Sequence, residues 1–491
     1  MNAIRAGHRR HGGWIAAALG FAGCAVGPSY VRPDAPKVSR YTVTPVAKTT
    51  VVADNQVQRF EDGKQIAADW WRLFENSQVD DFIVLAIADN PTLQAAQATL
   101  RQSQDILQAG YGAFIPQIGG NAGASRQTSN PKVIGSTLPR SVFNLFTLSA
   151  SVNYTLDIWG GQRRQVEGLR AEMEGQRYKV MGTYIMLAGN IVNTAIALAA
   201  YRGQIQATQD LILLEKDQVS ITQAQAQAGT VPFSNVLSLQ SELASTQATL
   251  PPLRQKIDQA NHLLATLLGQ APADFSSTPG GRGLDLKDFK LPENLPISLP
   301  SELVHQRPDI LLAEAQLISA NAQIGVATAA MFPSLTLNSA AGVNNTSLGN
   351  IFRSDSLFWS LGANLAGPIV DGGTRWFLRK AAIEAHDAVL AAYRQTVLSA
   401  LAQVADTLRA LEHDAETLSA QADAVHAASD AFRLMHINYQ TGIATYLQVL
   451  IADEQYHQAT LAYVQAQAQR LQDTVALYVA LGGGWWNAPK E

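Results

Sequence analysis

A chain of 491 residues exceeds what one hydrophobic core supports, so several domains or one elongated repeat architecture are expected. A formal net charge of -4 and a charged fraction of 15% leave no basic footprint, which sets nucleic acid aside as a partner. Hydrophobic residues reach 47%, yet beyond the N-terminus no uninterrupted apolar run attains the ~18 residues of a spanning helix, so any membrane crossing falls to β-strands or a lipid.

Residues 1–23 have the form of a lipoprotein signal peptide: Arg5, Arg9 and Arg10, a short apolar stretch from Trp14 to Ala22, then Gly23. Cys24 is the only cysteine, so no intramolecular disulfide is possible. A small residue before a lone Cys at the end of an export signal fits acylation of the thiol; an unmodified thiol is the plainer reading. Ala25, rather than Asp, follows it, which favours sorting to the outer membrane. A covalent lipid on Cys24 is the only non-protein group expected, and a firm anchor needs more than one acyl chain.

From Asn90 a helix is expected, with Leu93, Leu100, Leu107 and Phe114 recurring every seven residues and the small residues Ala96, Ser103 and Gly110 between them. That spacing signals coiled-coil-like packing. Pro91 suits the opening turn and Pro116 ends it. The period then falls to two, predicting strands over 117–128 and 142–158: Phe146, Leu148, Ala150, Val152, Tyr154 and Leu156 alternate with Thr147, Ser149, Ser151, Asn153, Thr155 and Asp157. A proline-free helix over 162–227 follows, then a turn and a helix over 232–268. At about 1.5 Å per residue the long helix reaches about 100 Å. A free-standing coiled-coil stalk would need the same kind of helix.

The second half repeats the first. The stretch from Asn90 aligns without a gap to that from Arg307, so that Pro91 matches Pro308, Ala96 Ala313, Leu100 Leu317 and Pro116 Pro333. Farther on, "WGGQR" from Trp159 matches "DGGTR" from Asp371, and "AGTVPFSNVL" from Ala228 matches "TGIATYLQVL" from Thr441. The first repeat is placed at 78–275 and the second at 306–484, the latter with a helix over 308–331, strands over 334–344 and 357–368, a long helix over 373–440 and a helix over 445–481. Residues 24–77 precede the repeats, 276–305 link them, and 485–491 form a tail. In the second half Leu335, Leu337 and Val343 alternate with Thr336, Asn338 and Asn344, and Leu357, Trp359, Leu361 and Leu365 with Ser360, Gly362 and Asn364. A half-buried sheet in a soluble sandwich gives the same alternation. With an export signal it also suits a membrane barrel, for which four strands are too few in one chain but twelve from three chains suffice.

In their order, "CAVGPSYVRP" from Cys24, "WWRLFENSQVDDFIVLAIADNPTL" from Trp70, "RPDILLAEAQL" from Arg307, "FPSLTL" from Phe332, "GPIVDGG" from Gly367 and "ALGGGWW" from Ala480 resemble the TolC/OprM-type family of outer-membrane efflux proteins, in its lipoprotein, NodT-like branch. The resemblance covers almost the whole mature chain. It implies an α+β membrane protein acting as a homotrimer, with a 12-stranded transmembrane β-barrel and a 12-helix periplasmic α-barrel. It also implies an equatorial belt drawn from residues 265–305, those before Trp70 and the C-terminal tail, and extracellular loops at Ser129–Ser141 and Asn344–Ser356. The implied partners are a periplasmic adaptor, an inner-membrane pump of the RND type, and outer-membrane lipid. The implied function is the outer-membrane channel of a tripartite efflux system for drugs or other small toxic compounds. The alternative on the same fold is an exit duct for type I protein secretion, and a non-channel lipoprotein bridging two membranes is a further one.

No enzymatic constellation is present in the sequence. The nine histidines are scattered, and neither Gly280-Gly281 nor Gly482 to Gly484 is followed by the Lys-Ser or Lys-Thr of a phosphate loop, so neither catalysis nor a metal site is expected. Function is expected at two places. By resemblance, the turns at Gly229, Thr230, Val231, Pro232 and Ser234, and at Gly442, Ile443, Ala444 and Tyr446, form the tip that meets the adaptor; Pro232 against Thr445 makes the two unequal. Ordinary helix-hairpin turns use the same residues. Glu416, Asp423 and Asp430 share one helix face at seven-residue spacing and are the gate candidates, since three copies would form carboxylate rings; a solvated outer face explains that spacing equally.

Overall fold

The computed structural model describes residues 25–129, 137, 139–275 and 283–487. The signal peptide, Cys24, most of the expected loop at Ser129–Ser141 and the end of the tail lie outside the described residues. The elements run β1 (Arg59–Asp62), α1 (Ser77–Asp89), α2 (Pro91–Tyr111), β2 (Gln117–Ser129), β3 (Ser141–Leu156), α3 (Gly161–Gln227), α4 (Phe233–Ala248), α5 (Leu250–Leu267), α6 (Pro272–Phe275), β4 (Asn294–Ile297), α7 (Pro300–Gln306), α8 (Pro308–Ala329), β5 (Ser334–Asn345), β6 (Leu357–Ala366), α9 (Thr374–Gln440) and α10 (Tyr446–Ala480). The two long helices, α3 and α9, are each 67 residues without a break.

The expected single helix over 232–268 is two helices. The run stops at Thr249, before Pro251 and Pro252, whose missing N–H groups cannot continue the ladder. Its counterpart α10 has no proline and stays whole over 35 residues.

Two compact units are present. One takes the chain up to Pro33 with Leu100–Gly175 and Ala313–Tyr393. It contains an antiparallel four-stranded sheet of order β2-β3-β5-β6. Asp157 closes the start of α3, its carboxylate accepting from the N–H groups of Gln162 and Arg163, both at 3.0 Å. Asp371 does the same at the head of α9, accepting from Gly373 and Arg375 N–H at 3.0 and 3.2 Å.

The other unit takes Asp34–Thr99, Gln176–Leu312 and Arg394–Glu491. Its core contains Ile191, Ile196, Leu198, Leu264 and Leu268, and Trp70 stacks on Tyr478 with ring centroids 5.3 Å apart. Here the segments flanking the repeats meet. β1 pairs in parallel with β4, Gln58 donates to Thr474 Oγ1 at 3.0 Å, Trp485 Nε1 donates to the Gln306 carbonyl at 2.8 Å, and Asn487 Nδ2 to that of Ile66 at 2.7 Å. The duplication is visible in single hydrogen bonds. Asn90 Nδ2 donates to the last carbonyl of α5, Leu267, at 2.8 Å, and Arg307 Nη1, at the aligned position, donates to the last carbonyl of α10, Ala480, at 2.7 Å. Each caps a helix C-terminus with a donor, as the orphan carbonyls there require.

Candidate functional site

Directly paired residues of an antiparallel sheet share a face, so the register sorts the side chains. Ile118 lies with Val152, Leu148 with Ala122 and Val343, Leu337 with Tyr154 and Ala363, and Trp359 with Ala341. Leu357, Leu361 and Leu365 fall on this same face. The opposite face has Asn121, Ser149, Ser151, Thr155, Thr336, Asn338, Ser360 and Asn364. The apolar face is uncovered in the chain: Trp359 is 81%, Leu361 79% and Ile118 78% exposed. Strand lengths of 10 to 16 residues meet the ~9–11 residues that a tilted strand needs to cross a bilayer. A soluble sandwich would cover such a face with a second sheet, and among the described residues the other sheet has only two short strands, in the other unit. β2 and β6 each leave one edge unpaired, which is untenable in lipid unless another strand closes it.

Two helices, α3 and α8, contain an 18-residue window apolar enough to cross a membrane by length and composition, although neither has an uninterrupted apolar run. Those windows are 67% and 61% buried within the chain, which accounts for their apolar character by packing.

Residues 25–33 run from the junction of sheet and helices along α8. Val26 N–H donates to the Trp159 carbonyl at 2.9 Å, Asn321 Nδ2 donates to that of Pro28 at 3.1 Å, and Tyr30 and Arg32 both donate to the Glu314 carboxylate. Trp159 stacks on Phe332 at 4.5 Å. Val26, two residues after Cys24, is therefore fastened where β3 gives way to α3.

The two tip turns are built alike. Gly229 and Gly442 have φ of +73° and +78°, left-handed values that L side chains adopt at a cost. In the first turn Gly229 N–H donates to the Ala226 carbonyl and Thr230 N–H to that of Gln225, both at 3.0 Å. Gly442 to Tyr439 and Ile443 to Asn438, at 3.0 and 2.8 Å, repeat that pattern, a Schellman closure in each half. They differ at the next helix start. Thr445 forms a capping box with Gln448, whereas Pro232 offers no side-chain cap. Thr230, Pro232, Ser234 and Ile443 are exposed, while Val231 and Ala444 are half-buried. Tyr446, by contrast, is only 8% exposed and packs edge-on against Tyr439. Tyr439 Oη also donates to Gln225 Oε1 at 3.0 Å, joining the two hairpins.

Glu416, Asp423 and Asp430 are all exposed. Glu416 lies 3.2 Å from His413 Nδ1, and Asp430 accepts from Arg433 at 3.2 Å. The acids with perturbed protonation are others. Asp414 is pushed up to about 8, by burial first and then by Asp473 beside it. Asp453 is pushed up to about 7 by burial and by Glu215 and Glu242, and Glu215 is itself raised by burial. Sequence reasoning passed over them because each stands beside other acids, Asp414 between Glu412 and Glu416 and Asp453 before Glu454, with nothing local to mark its burial, although Asp453 stands where the first repeat has Gln240.

The profile of the outer membrane efflux protein family matches residues 82–270, inside the first repeat, and 299–483, which begins in the linker just ahead of the second. The pyoverdine export outer membrane protein OpmQ of Pseudomonas aeruginosa is 29% identical over 442 residues, 89% of this chain and 92% of its own. The cation efflux system protein CusC of Escherichia coli is 26% identical over 472 residues, 95% of this chain and 97% of its own. Among solved structures, the outer-membrane channel OprN superposes with a TM-score of 0.84 at 26% identity, covering 94% of this chain and 100% of that one. The chain belongs to the outer membrane efflux protein family.

Proposed function

We propose that three copies of this chain close a twelve-stranded barrel in the outer membrane and a twelve-helix duct below it, forming the exit channel through which a tripartite pump expels drugs or other small toxic compounds. The observation that carries this reading is the four-stranded sheet, whose register gathers most of its large apolar side chains on one face and most of its polar ones on the other and leaves an open edge on each side. Three such sheets joined edge to edge satisfy every edge hydrogen bond, with apolar side chains toward lipid and polar ones toward a wet lumen. Lipid on Cys24 fits the fastening of Val26 at the foot of the sheet, and the exposed turn residues Thr230, Pro232, Ser234 and Ile443 fit contact with a periplasmic adaptor linked to an RND pump. The named relatives pair one architecture with pyoverdine and with cations, which fits a duct whose cargo is chosen upstream.

The test is a deletion strain profiled against a panel of toxic compounds and complemented by the intact gene, with chemical cross-linking of the outer-membrane fraction. Complementable hypersensitivity together with a trimer band is expected. Unchanged susceptibility across the panel, or a chain that cross-links only as a monomer, overturns the reading.

A further inference from the structure

Between α3, α9 and α10 lies a cavity of about 540 Å³. Leu214, Ile221, Ile437 and Val449 give it apolar walls, and Phe432 and Tyr456 stack there, with centroids 5.9 Å apart and planes 8° from parallel. Two polar atoms of its lining residues have no hydrogen-bond partner in the chain: Gln218 Nε2, a donor, and Asp453 Oδ1, an acceptor on a side chain only 9% exposed. Such atoms are costly unless something binds them.

The charges around Asp453 are one-sided. Asp217, Arg433 and His436 also line the cavity, and Arg433 is already engaged by Asp430. Glu215, 3% exposed, and Glu242 act on Asp453 from α3 and α4; Thr246 donates to one Glu215 oxygen at 2.7 Å and the other has no partner. Tyr446, also raised by burial and these acids, has an unpartnered hydroxyl. The duplication supplies an internal comparison. In the register that matches Gly229 with Gly442, Phe432, Tyr456 and Asp453 correspond to Val219, Leu243 and Gln240, and Gln218 corresponds to Ala431. Only the seam formed by α3, α9 and α10 has an aromatic pair, an acid and a free amide together.

We propose that this cavity is a binding site for flat aromatic amines in their cationic form, with the ring against the Phe432–Tyr456 pair and the ammonium against Asp453. A cation there offsets a buried carboxylate that has two acidic neighbours, and the aromatic faces add to the attraction. Gln218 accommodates an acceptor on the ligand.

The test is fluorescence titration of the purified full-length protein in detergent with 9-aminoacridine, a cation, and with acridine, uncharged at pH 8. Saturable binding of one 9-aminoacridine per chain is expected, at least about tenfold tighter than acridine. Asp453→Asn removes that preference while retaining acridine binding, and Phe432→Leu weakens both. Equal affinity of the two compounds for the wild type, or an unaltered preference in folded Asp453→Asn, overturns the proposal. Should that variant not fold, the wild type decides: 9-aminoacridine affinity falls about tenfold from pH 8 to pH 6 as Asp453 takes up its proton, and a flat profile overturns it.

Discussion

Asp414 shows how one residue couples this fold to pH. Its folded-state pKa of about 8 lies above the ordinary carboxylate value, so the folded chain holds a proton that the unfolded chain releases. The stabilisation is fully present below the unfolded value, near 4, and is lost as pH rises through about 8. Thermal melts should therefore show stability falling from pH 5 to pH 8, and Asp414→Asn should flatten that slope and raise the melting temperature at pH 8 by about 2 °C or more. A steeper slope in the variant would count against the assignment. At the exposed strip, Asp423→Ala and Asp430→Ala should each raise single-channel conductance in planar bilayers if three copies face a common lumen. Unchanged currents in both would remove these residues from the gate. Seven-residue spacing made the strip visible in sequence, whereas Asp414 and Asp453 are perturbed by helices distant along the chain, which spacing cannot show.

At the scale of elements, period-two alternation marked three of the four strands of the larger sheet, β3, β5 and β6, because a sheet with one apolar face repeats every second residue. Leu361→Arg should therefore cost ~2–4 kcal/mol in barrel stability, as an arginine facing lipid near the bilayer midplane does. Ser360→Arg, one residue along on the opposite face, should cost little. Heat-modifiability of the trimer on gels distinguishes them, and equal losses would contradict the register. At the second turn Gly442 needs its left-handed φ of +78°, and no side chain lies near its missing Cβ. Gly442→Asp should abolish resistance while trimer persists in the outer membrane, and normal resistance in that strain would argue against docking there. The break at Thr249 was readable from Pro251-Pro252, since proline interrupts the helical ladder wherever it falls. The burial of Tyr446 was not, because it depends on Tyr439 from the preceding helix.

For the whole molecule, the fastening of residues 25–33 separates anchoring from assembly. Cys24→Ser should abolish incorporation of labelled palmitate, yet leave Val26 bound to Trp159, Tyr30 and Arg32 bound to Glu314, and trimer detectable by cross-linking. Persistent label would place the acyl group elsewhere.

The sequence by itself determined the duplication, the alternating strands and the two unbroken long helices, because periodicity and internal similarity are local or self-referential properties. It also supplied the matched positions Asn90 and Arg307. Only the tertiary structure decided that these two residues perform the same capping, that the large apolar residues of β2-β3-β5-β6 fall mostly on one face, and that Asp453 meets Gln218 and the Phe432–Tyr456 pair at one seam. Each of those depends on residues far apart in the chain coming into register, and no window of sequence contains both partners.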